Sequence, residues 1–243
     1  MRALVVATVM LASARVDADP LVVPRGEVLT RISIEINAHR RQFARPLSFA
    51  PDLWIGVTDR VTVGLIHSSQ SVDRIESGAT FCVRELASRC ERAYRGSGLD
   101  LRVAWTPGVV LRTRLLLRDV DPVKPAFTVG ALLRGIRGRW SLTSDPYLRI
   151  GLANRELGNR DALVVPVWLG VQVRSVWFAL HTGIDGDLAV WRDGWHVPVA
   201  VVAEVAPARV LTLGIEAGFA SLIGPQNTGD FRAVILYAGW RAR

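Results

Sequence analysis

The stretch Leu99–Arg118, with the sequence LDLRVAWTPGVVLRTRLLLR, decides the fold of this chain of 243 residues. Leucine, valine and tryptophan occupy every second position from Leu99 to Trp105, and aspartate, arginine and alanine lie between them. A turn-forming Thr106-Pro107-Gly108 follows, and a second alternating run starts at Val109. Because side chains of a β-strand point alternately to its two faces, the stretch predicts a hairpin with one apolar and one charged face.

The same period of two recurs along nearly the whole chain, whereas helical periodicity is nearly absent. Each alternating run ends at glycine, proline, asparagine or aspartate, which are residues that favour turns. The pattern predicts an all-β chain of about twelve strands. We expect the strands at Val28–Asn37, Leu47–Val57, Val61–Ser68, Leu99–Trp105, Val109–Arg118, Phe127–Arg134, Arg139–Leu152, Ala162–Val173, Val176–Gly183, Trp195–Val205, Arg209–Phe219 and Phe231–Trp240.

A sheet with one apolar and one charged face fits a soluble sandwich or a membrane barrel whose apolar face meets lipid. The connections favour the barrel, because tight turns and longer polar links alternate along the chain. The tight turns are expected near Thr58–Arg60, Thr106–Gly108, Gly135–Gly138, Arg174–Ser175 and Ala206–Ala208. The longer links are expected at His39–Pro46, Ser69–Gly98, Asp119–Pro125, Asn154–Asp161, Asp185–Gly194 and Gly224–Gly229. Both termini then lie on the tight-turn side, which is expected to be periplasmic. A soluble secreted sandwich is the less favoured alternative.

The run Leu53–Leu65 has an aromatic residue, a glycine, the turn Thr58-Asp59-Arg60 and a returning strand. With this hairpin and its overall pattern, the sequence resembles bacterial outer-membrane β-barrel proteins, a broad porin-like class. The resemblance implies a closed antiparallel transmembrane barrel in meander order, located in the bacterial outer membrane and surrounded by its lipid. It implies no active site, since the class includes channels, enzymes and adhesins.

The first residues have the layout of a secretory signal peptide. Arg2 gives a basic start, Ala3–Ala14 is uncharged and mainly apolar, and Val16-Asp17-Ala18 has the small-x-small form of a cleavage site. We therefore predict a signal peptide at residues 1–18 and a single barrel domain at residues 19–243. Ala14 offers a second possible cleavage site.

The non-lipid phase of the predicted strands is rich in arginine and is therefore expected to face the lumen. It holds Arg31, Arg102, Arg112, Arg114, Arg134, Arg139 and Arg149 together with Glu35, Asp52, Asp100, Asp145, Glu204 and Glu216. The arginines concentrate on consecutive central strands, so closure predicts a basic wall opposite a more acidic one. The formal net charge is +8, but the arginines are spread along strands, which disfavours nucleic acid as a partner.

Two functions follow from this charged interior. The leading hypothesis is a narrow porin-like channel with an arginine-biased lumen that passes small anionic solutes. The alternative is a non-conducting structural or ligand-binding barrel that acts through its external loops, with ion pairs that only stiffen the interior. A barrel of this size allows either outcome.

Other reactive residues indicate no cofactor, no metal and no enzyme. His39, His67, His181 and His196 are scattered, without the spacing of a metal site. We interpret Asp185-Gly186-Asp187 as turn-forming residues. Ser68 and Ser69 lie beside His67, but adjacent residues of a strand point to opposite faces. Cys82 and Cys90 are predicted to form a disulfide within the longest link, because an exported chain meets an oxidising compartment.

Overall fold

A computed structural model describes residues 20–39, 41, 43–68, 81–84, 90, 92–225 and 228–243. Most of them belong to β-strands, because the alternating sequence suits a pleated sheet with two different faces. In chain order the strands are β1 (Val28–Asn37), β2 (Leu47–Thr58), β3 (Val61–Ile66), β4 (Phe81–Arg84), β5 (Ser97–Thr106), β6 (Val109–Val120), β7 (Val123–Arg137), β8 (Trp140–Ser144), β9 (Tyr147–Gly151), β10 (Ala162–Val173), β11 (Val176–Asp187), β12 (Trp195–Ala208), β13 (Leu211–Ile223) and β14 (Thr228–Ala242). The predicted signal peptide at residues 1–18 lies outside the described residues.

The sheet closes into an antiparallel barrel with twelve wall strands. Closure is made by β1, which pairs with β14 on one side and with β2 on the other. The segments β8 and β9 act as one wall strand, since both pair with β7 and with β10. The remaining strand, β4, pairs with Leu47, Ser48 and Phe49 at the start of β2, whereas β3 pairs with the second half of β2. The meander order confirms the predicted fold class, and closure leaves no free edge along the wall.

The sequence pattern predicted all twelve wall strands, two of them, Val28–Asn37 and Ala162–Val173, with the observed ends. The predicted strand Arg139–Leu152 is interrupted after Ser144. Asp145 and Pro146 form this break, and a proline has no N–H group to continue a ladder of hydrogen bonds. Arg139, predicted at the start of this strand, lies in the turn before β8.

Five connections at one end of the barrel have only two residues each, at 59–60, 107–108, 138–139, 174–175 and 209–210. Several predicted connections are wrong in position or length. Residues 135–137, predicted as part of a tight turn, belong to β7, and Asp185-Gly186-Asp187, also predicted as a turn, belongs to β11. The predicted link Ser69–Gly98 contains β4. Ala206–Ala208 belongs to β12, so the turn comes later. The predicted long link Asp119–Pro125 shrinks to Asp121-Pro122, because Val120 pairs with Val123 and extends the ladder. The alternation of tight and long connections therefore has one exception.

Apolar side chains cover the outside of the barrel, whereas inward positions are polar, aromatic or small. On β5, Leu101 is 41% exposed and its neighbour Arg102 is 8% exposed. Exposed apolar residues of the same phase on other strands include Ile34, Ile55, Leu65, Leu115, Val129, Leu142, Leu169, Leu180, Val201, Ile215 and Leu236. Trp105 and Trp240 lie on this outer face beside tight turns, as expected for an aromatic girdle. Within the described residues, no helix is long and apolar enough to cross a membrane.

Candidate functional site

The barrel encloses a cavity of about 740 Å³, which is within the usual size range of ligand sites. Its lining starts at the tight-turn end, at Gly138 and Trp140, and reaches Pro198 and Gly218 farther along the wall. Six arginines and four carboxylates line it, a surplus of two positive charges when His181 is neutral. They are Arg31, Arg102, Arg112, Arg114, Arg134, Arg139, Asp52, Asp145, Glu204 and Glu216.

One side of the cavity is occupied by a set of ion pairs centred on Asp100, which is fully buried. Arg112 binds both carboxylate oxygens, from Nε to Oδ1 and from Nη2 to Oδ2, each at 2.8 Å. Arg102 donates from Nε to Oδ2 at 2.9 Å, and Trp54 donates from Nε1 to the same oxygen at 2.8 Å. Four donated hydrogen bonds therefore hold this carboxylate in its charged form against the wall.

A second carboxylate, that of Asp145 at the break between β8 and β9, extends these ion pairs. Its Oδ2 accepts from Arg112 Nη1 at 2.5 Å and also from Arg114 Nη2. The guanidinium of Arg114 lies 4.7 Å over the ring of Tyr147, and that of Arg102 lies 4.8 Å over Trp54. We call the set Asp100, Arg102, Arg112, Arg114 and Asp145 the arginine network. Its three guanidiniums and two carboxylates keep one positive charge in surplus.

The segment before β1 lies inside the barrel, against β2 and β3. Val23 is fully buried and donates its N–H to Thr62 Oγ1 at 2.8 Å. Gly26 N–H donates to the Gly56 carbonyl at 2.8 Å, and Arg102 Nη1 reaches the Leu21 carbonyl at 3.4 Å. A side chain at Gly56 would collide with the Pro24 carbonyl. The sequence pattern did not predict this interior segment, which narrows the lumen beside the arginine network.

The opposite side of the cavity carries glutamate and aromatic side chains. His181 on β11 and Glu216 on β13 are joined by a hydrogen bond of 2.7 Å between Nδ1 and Oε1. The Trp168 ring stacks on the His181 ring, with centroids 4.4 Å apart. Farther toward the tight turns, Tyr237 donates its hydroxyl to Glu204 Oε2 at 2.9 Å, and Arg31 lies 4.6 Å over the Tyr237 ring.

Three inward aromatic rings lie against the wall over a glycine of the neighbouring strand. The pairs are Trp54 over Gly64, Trp177 over Gly170 and Tyr237 over Gly214. A Cβ at each of these glycines would come within 2.1–2.3 Å of an atom of the paired ring. The glycines therefore let large rings lie flat, and the space along the barrel axis stays open.

Of the thirteen residues predicted to face the lumen, Arg31, Asp52, Glu204 and Glu216 line the cavity, and the other nine occupy three kinds of place. Five line the cavity, namely Arg102, Arg112, Arg114, Arg134 and Arg139, with Arg139 in a turn at the rim. Asp145 also lines it, and Asp100 lies directly behind it in the arginine network. Arg149 and Glu35 are buried at inward positions without lining the cavity. The pairing of His181 with Glu216 escaped prediction, since it joins strands that are not adjacent.

The other candidate features of the sequence were a metal site and the serines beside His67. In the described part of the chain, no group of three histidine, cysteine, aspartate or glutamate side chains could hold a metal. Ser68 Oγ donates to Asp52, and the His67 ring bonds the Pro51 carbonyl through Nδ1 at 2.5 Å. Ser69, the other serine considered beside His67, lies outside the described residues.

The two cysteines form a disulfide, as the sequence predicted, with their Cα atoms 6.0 Å apart. Cys82 belongs to β4, which pairs with β2, and the ring of Phe81 stacks on that of Phe49 at 4.9 Å. The cross-linked segment is therefore attached to the barrel wall at the end opposite the tight turns.

The connection between β9 and β10 holds a smaller ion pair at the same end of the barrel. Asp161 accepts from Arg155 at 2.6 Å and from the Gly151 N–H at 3.0 Å. The hydrogen bond from the guanidinium lowers the pKa of this carboxyl. The pair is largely exposed, so its contribution to stability is small.

No family model and no curated protein matches the sequence. Among solved structures, the chain is similar to the COG4313 outer membrane channel from Pseudomonas putida F1, with 11% identity, a TM-score of 0.53 and coverage of 93% of this chain and 98% of that one. A bacterial polysaccharide outer membrane secretin has 9% identity, a TM-score of 0.44 and coverage of 91% and 100%. OmpF of Salmonella typhi has 7% identity, a TM-score of 0.42 and coverage of 89% and 97%. The first likeness shows the fold: a closed barrel of the kind found in bacterial outer-membrane channels.

Proposed function

We propose that this chain is a bacterial outer-membrane barrel that works as a narrow, passive, porin-like channel with an arginine-biased lumen. It would pass small anionic solutes without catalysis, with its apolar exterior in contact with outer-membrane lipid. The observation that carries the proposal is the cavity inside a closed barrel, in which six arginines face four carboxylates.

Charge pairing determines how strong the anion preference is. Arg112 has a carboxylate on either side, so its own charge is largely compensated within the arginine network. The network as a whole keeps one surplus positive charge, and Arg134 and Arg139 add to the same side of the cavity. A wall with surplus positive charge lowers the energy of an anion in a narrow pore and raises that of a cation.

A reversal-potential measurement in a planar bilayer under a salt gradient tests the proposal. We expect conductance with anion preference, which weakens at high salt because mobile ions screen the wall charges. Replacing Arg112 and Arg114 by glutamine removes two lumen charges and should abolish the preference. Arg155→Gln is the matched control, since it removes an arginine from a connection outside the lumen. A cation-selective pore would contradict the arginine bias.

A second candidate is a non-conducting barrel that binds its partner through the connections opposite the tight turns. It is favoured by the disulfide between Cys82 on β4 and Cys90, because a cross-link restrains a connection that could form a binding surface. Absence of any conductance from folded protein would support it. The Cys82→Ser/Cys90→Ser double variant should then lose the binding, whereas a channel should keep its conductance in the same variant.

A further inference from the structure

We infer that Arg149 and Arg114 form a binding site for a small oxyanion, such as a carboxylate, just beyond the part of the wall that lines the cavity. The inference deepens the proposed channel function, on which it rests, because it names the solute class and a place where a solute would bind. Its structural basis is a buried guanidinium that no described protein group binds, beside a second guanidinium with an unused donor.

Arg149 on β9 is the exception among the buried arginines of the barrel interior. It lies at an inward position and is only 7% exposed. An arginine side chain is always charged in a protein and has five N–H donors, so its burial without acceptors is costly. In the described part of the chain, its guanidinium makes neither a hydrogen bond nor an ion pair. Arg102 and Arg114, which are buried to a similar degree, both bind carboxylates.

The carboxylates closest to Arg149 along the strands are bound by other groups. Asp145, four residues earlier, uses its Oδ2 within the arginine network. Asp161, next to the β10 residue that pairs with Arg149, accepts from Arg155 and from a backbone N–H. Asp185 belongs to β11, which is two strands away from β9 in the wall. An acceptor from outside the protein would therefore complete the coordination of this guanidinium.

The strand register brings a second guanidinium to the same place. Thr128 on β7 pairs with Arg114 of β6 on one side and with Arg149 of β9 on the other. The Cα atoms of the two arginines are therefore about 10 Å apart, which is two strand spacings. The guanidinium of Arg114 lies 4.7 Å over the ring of Tyr147, so it reaches across β7 to the strand of Arg149. Its Nε has no hydrogen-bond partner among the described residues and lies 4.0 Å from Asp100 Oδ1.

These donors suit an oxyanion better than a monatomic anion. A guanidinium binds a carboxylate through two parallel N–H bonds, because the two oxygens match the directions of its donors. Arg149 can make this bidentate contact, while Arg114 Nε and the Thr128 hydroxyl can each add one hydrogen bond from the neighbouring strands. Two buried guanidiniums repel each other, and an anion between them replaces this repulsion by attraction.

The site lies one step past the cavity along β9. Asp145 and Tyr147 line the cavity, whereas Arg149, two residues after Tyr147 on the same face, does not. The neighbours of Arg149 in its row, Thr128 and Ala162, are each 1% exposed, so the site is shielded from water and its charge acts strongly. A solute in the cavity would reach Arg149 by passing the ring of Tyr147.

Urea unfolding of the full-length barrel in detergent tests the site without requiring conduction. The fraction folded is followed by migration of unboiled samples in SDS gels, in sodium acetate or in sodium chloride at equal ionic strength and pH. We expect acetate to raise the folding equilibrium constant about fivefold over chloride, which is the gain for a ligand at about four times its Kd. An affinity this weak suits a pore, because the solute must also leave.

Arg149→Met should abolish the acetate gain. In chloride this variant should be at least as stable as the parent, since it removes a buried charge that has no protein partner. Arg209→Met, at an exposed position in the tight turn between β12 and β13, is the matched control and should keep the gain. If Arg149→Met does not fold, Thr128→Val serves instead: it removes one hydroxyl without changing charge and should weaken the gain.

The possible outcomes separate this inference from the proposed function. Equal stability of the parent in acetate and chloride would mean that the guanidinium is only hydrated and would overturn the inference, as would an acetate gain that survives in Arg149→Met. An anion-selective conductance would leave the proposed function intact in either case. An acetate gain that depends on Arg149 in a barrel without conductance would support the site and contradict the channel.

Discussion

The two sides of the lumen use their inward positions in opposite ways. On β5 and β6 the inward side chains are long and charged, and Asp100 and Asp145 hold three arginines against the wall. On β12 to β14 the row Ala200, Gly218 and Ala233 is nearly without side chains, and the charged groups stand at its border. The first side is filled and cross-linked, whereas the second leaves room for a solute. Stability is therefore expected to depend more on the first wall than on the second.

The largest expected effect is that of Asp100→Asn, which removes the central charge of the arginine network. Arg102 and Arg112 would then face each other as buried cations with weaker acceptors, and an uncompensated buried charge costs about 3–5 kcal/mol. We expect the free energy of unfolding in urea, followed by gel migration of unboiled samples, to fall by this amount. Glu156→Gln, an exposed carboxylate on the connection between β9 and β10, is the control and should change it by less than about 1 kcal/mol. Equal losses would show that the arginine network does not stabilise the barrel as its geometry indicates.

A smaller effect is expected at the glycines beneath the inward rings. Gly214→Ala places a methyl group where the Tyr237 ring lies, 2.1 Å from its nearest atom, so the ring must move into the lumen. We expect lower single-channel conductance and a loss of about 1–3 kcal/mol in unfolding free energy. Gly135→Ala, with no atom within 4 Å of the added carbon, should leave both quantities nearly unchanged. An unchanged conductance for Gly214→Ala would show that the ring does not border the conducting path.

Two tryptophans give a matched comparison of hydrogen bonds on the two sides. Trp54→Phe removes a bond to the charged Asp100, worth about 1.5–3 kcal/mol, while Trp177→Phe removes one to the neutral Ser141, worth about 0.5–1.5 kcal/mol. Urea unfolding of the two variants should give the larger loss for Trp54→Phe. The reverse order would mean that the arginine network is less important to stability than its geometry indicates.

The smallest effect is expected outside both walls, at Asp161. Its pKa is lowered by Arg155, so the ion pair contributes stability at neutral pH and loses it as the pH falls through that lowered pKa. Asp161→Asn should cost less than about 1 kcal/mol at pH 7, because the pair is exposed. Unfolding measured at decreasing pH should show the difference between the variant and the parent disappear. A difference that grows in acid would contradict the direction of the shift.

The alternating sequence was sufficient to predict the wall strands, since each strand has outward and inward positions in strict turn. The sequence did not reveal that the strand is interrupted at Pro146. A proline can stand at the start of a strand, at its edge or at a bulge, so its presence alone does not locate a break. The polar phase predicted Asp100 and the arginines, as well as Glu204 and Glu216, to be inward residues. Which of them meet depends on closure and on the tilt of the strands, so the contact between His181 and Glu216 was not predictable from spacing. The interior segment around Val23 has no periodic pattern at all.

The position of Val23 constrains the order in which the barrel can assemble. Residues 20–27 contact β2 and β3 from the inside, while β1, which follows them directly, forms the seam with β14. Once the seam is complete, this segment can reach its place only by threading through an end of the barrel. We therefore expect residues 20–27 to pack against β2 and β3 while β1 and β14 are still apart. The pairing of β14 with β1 would then be the last step of barrel closure.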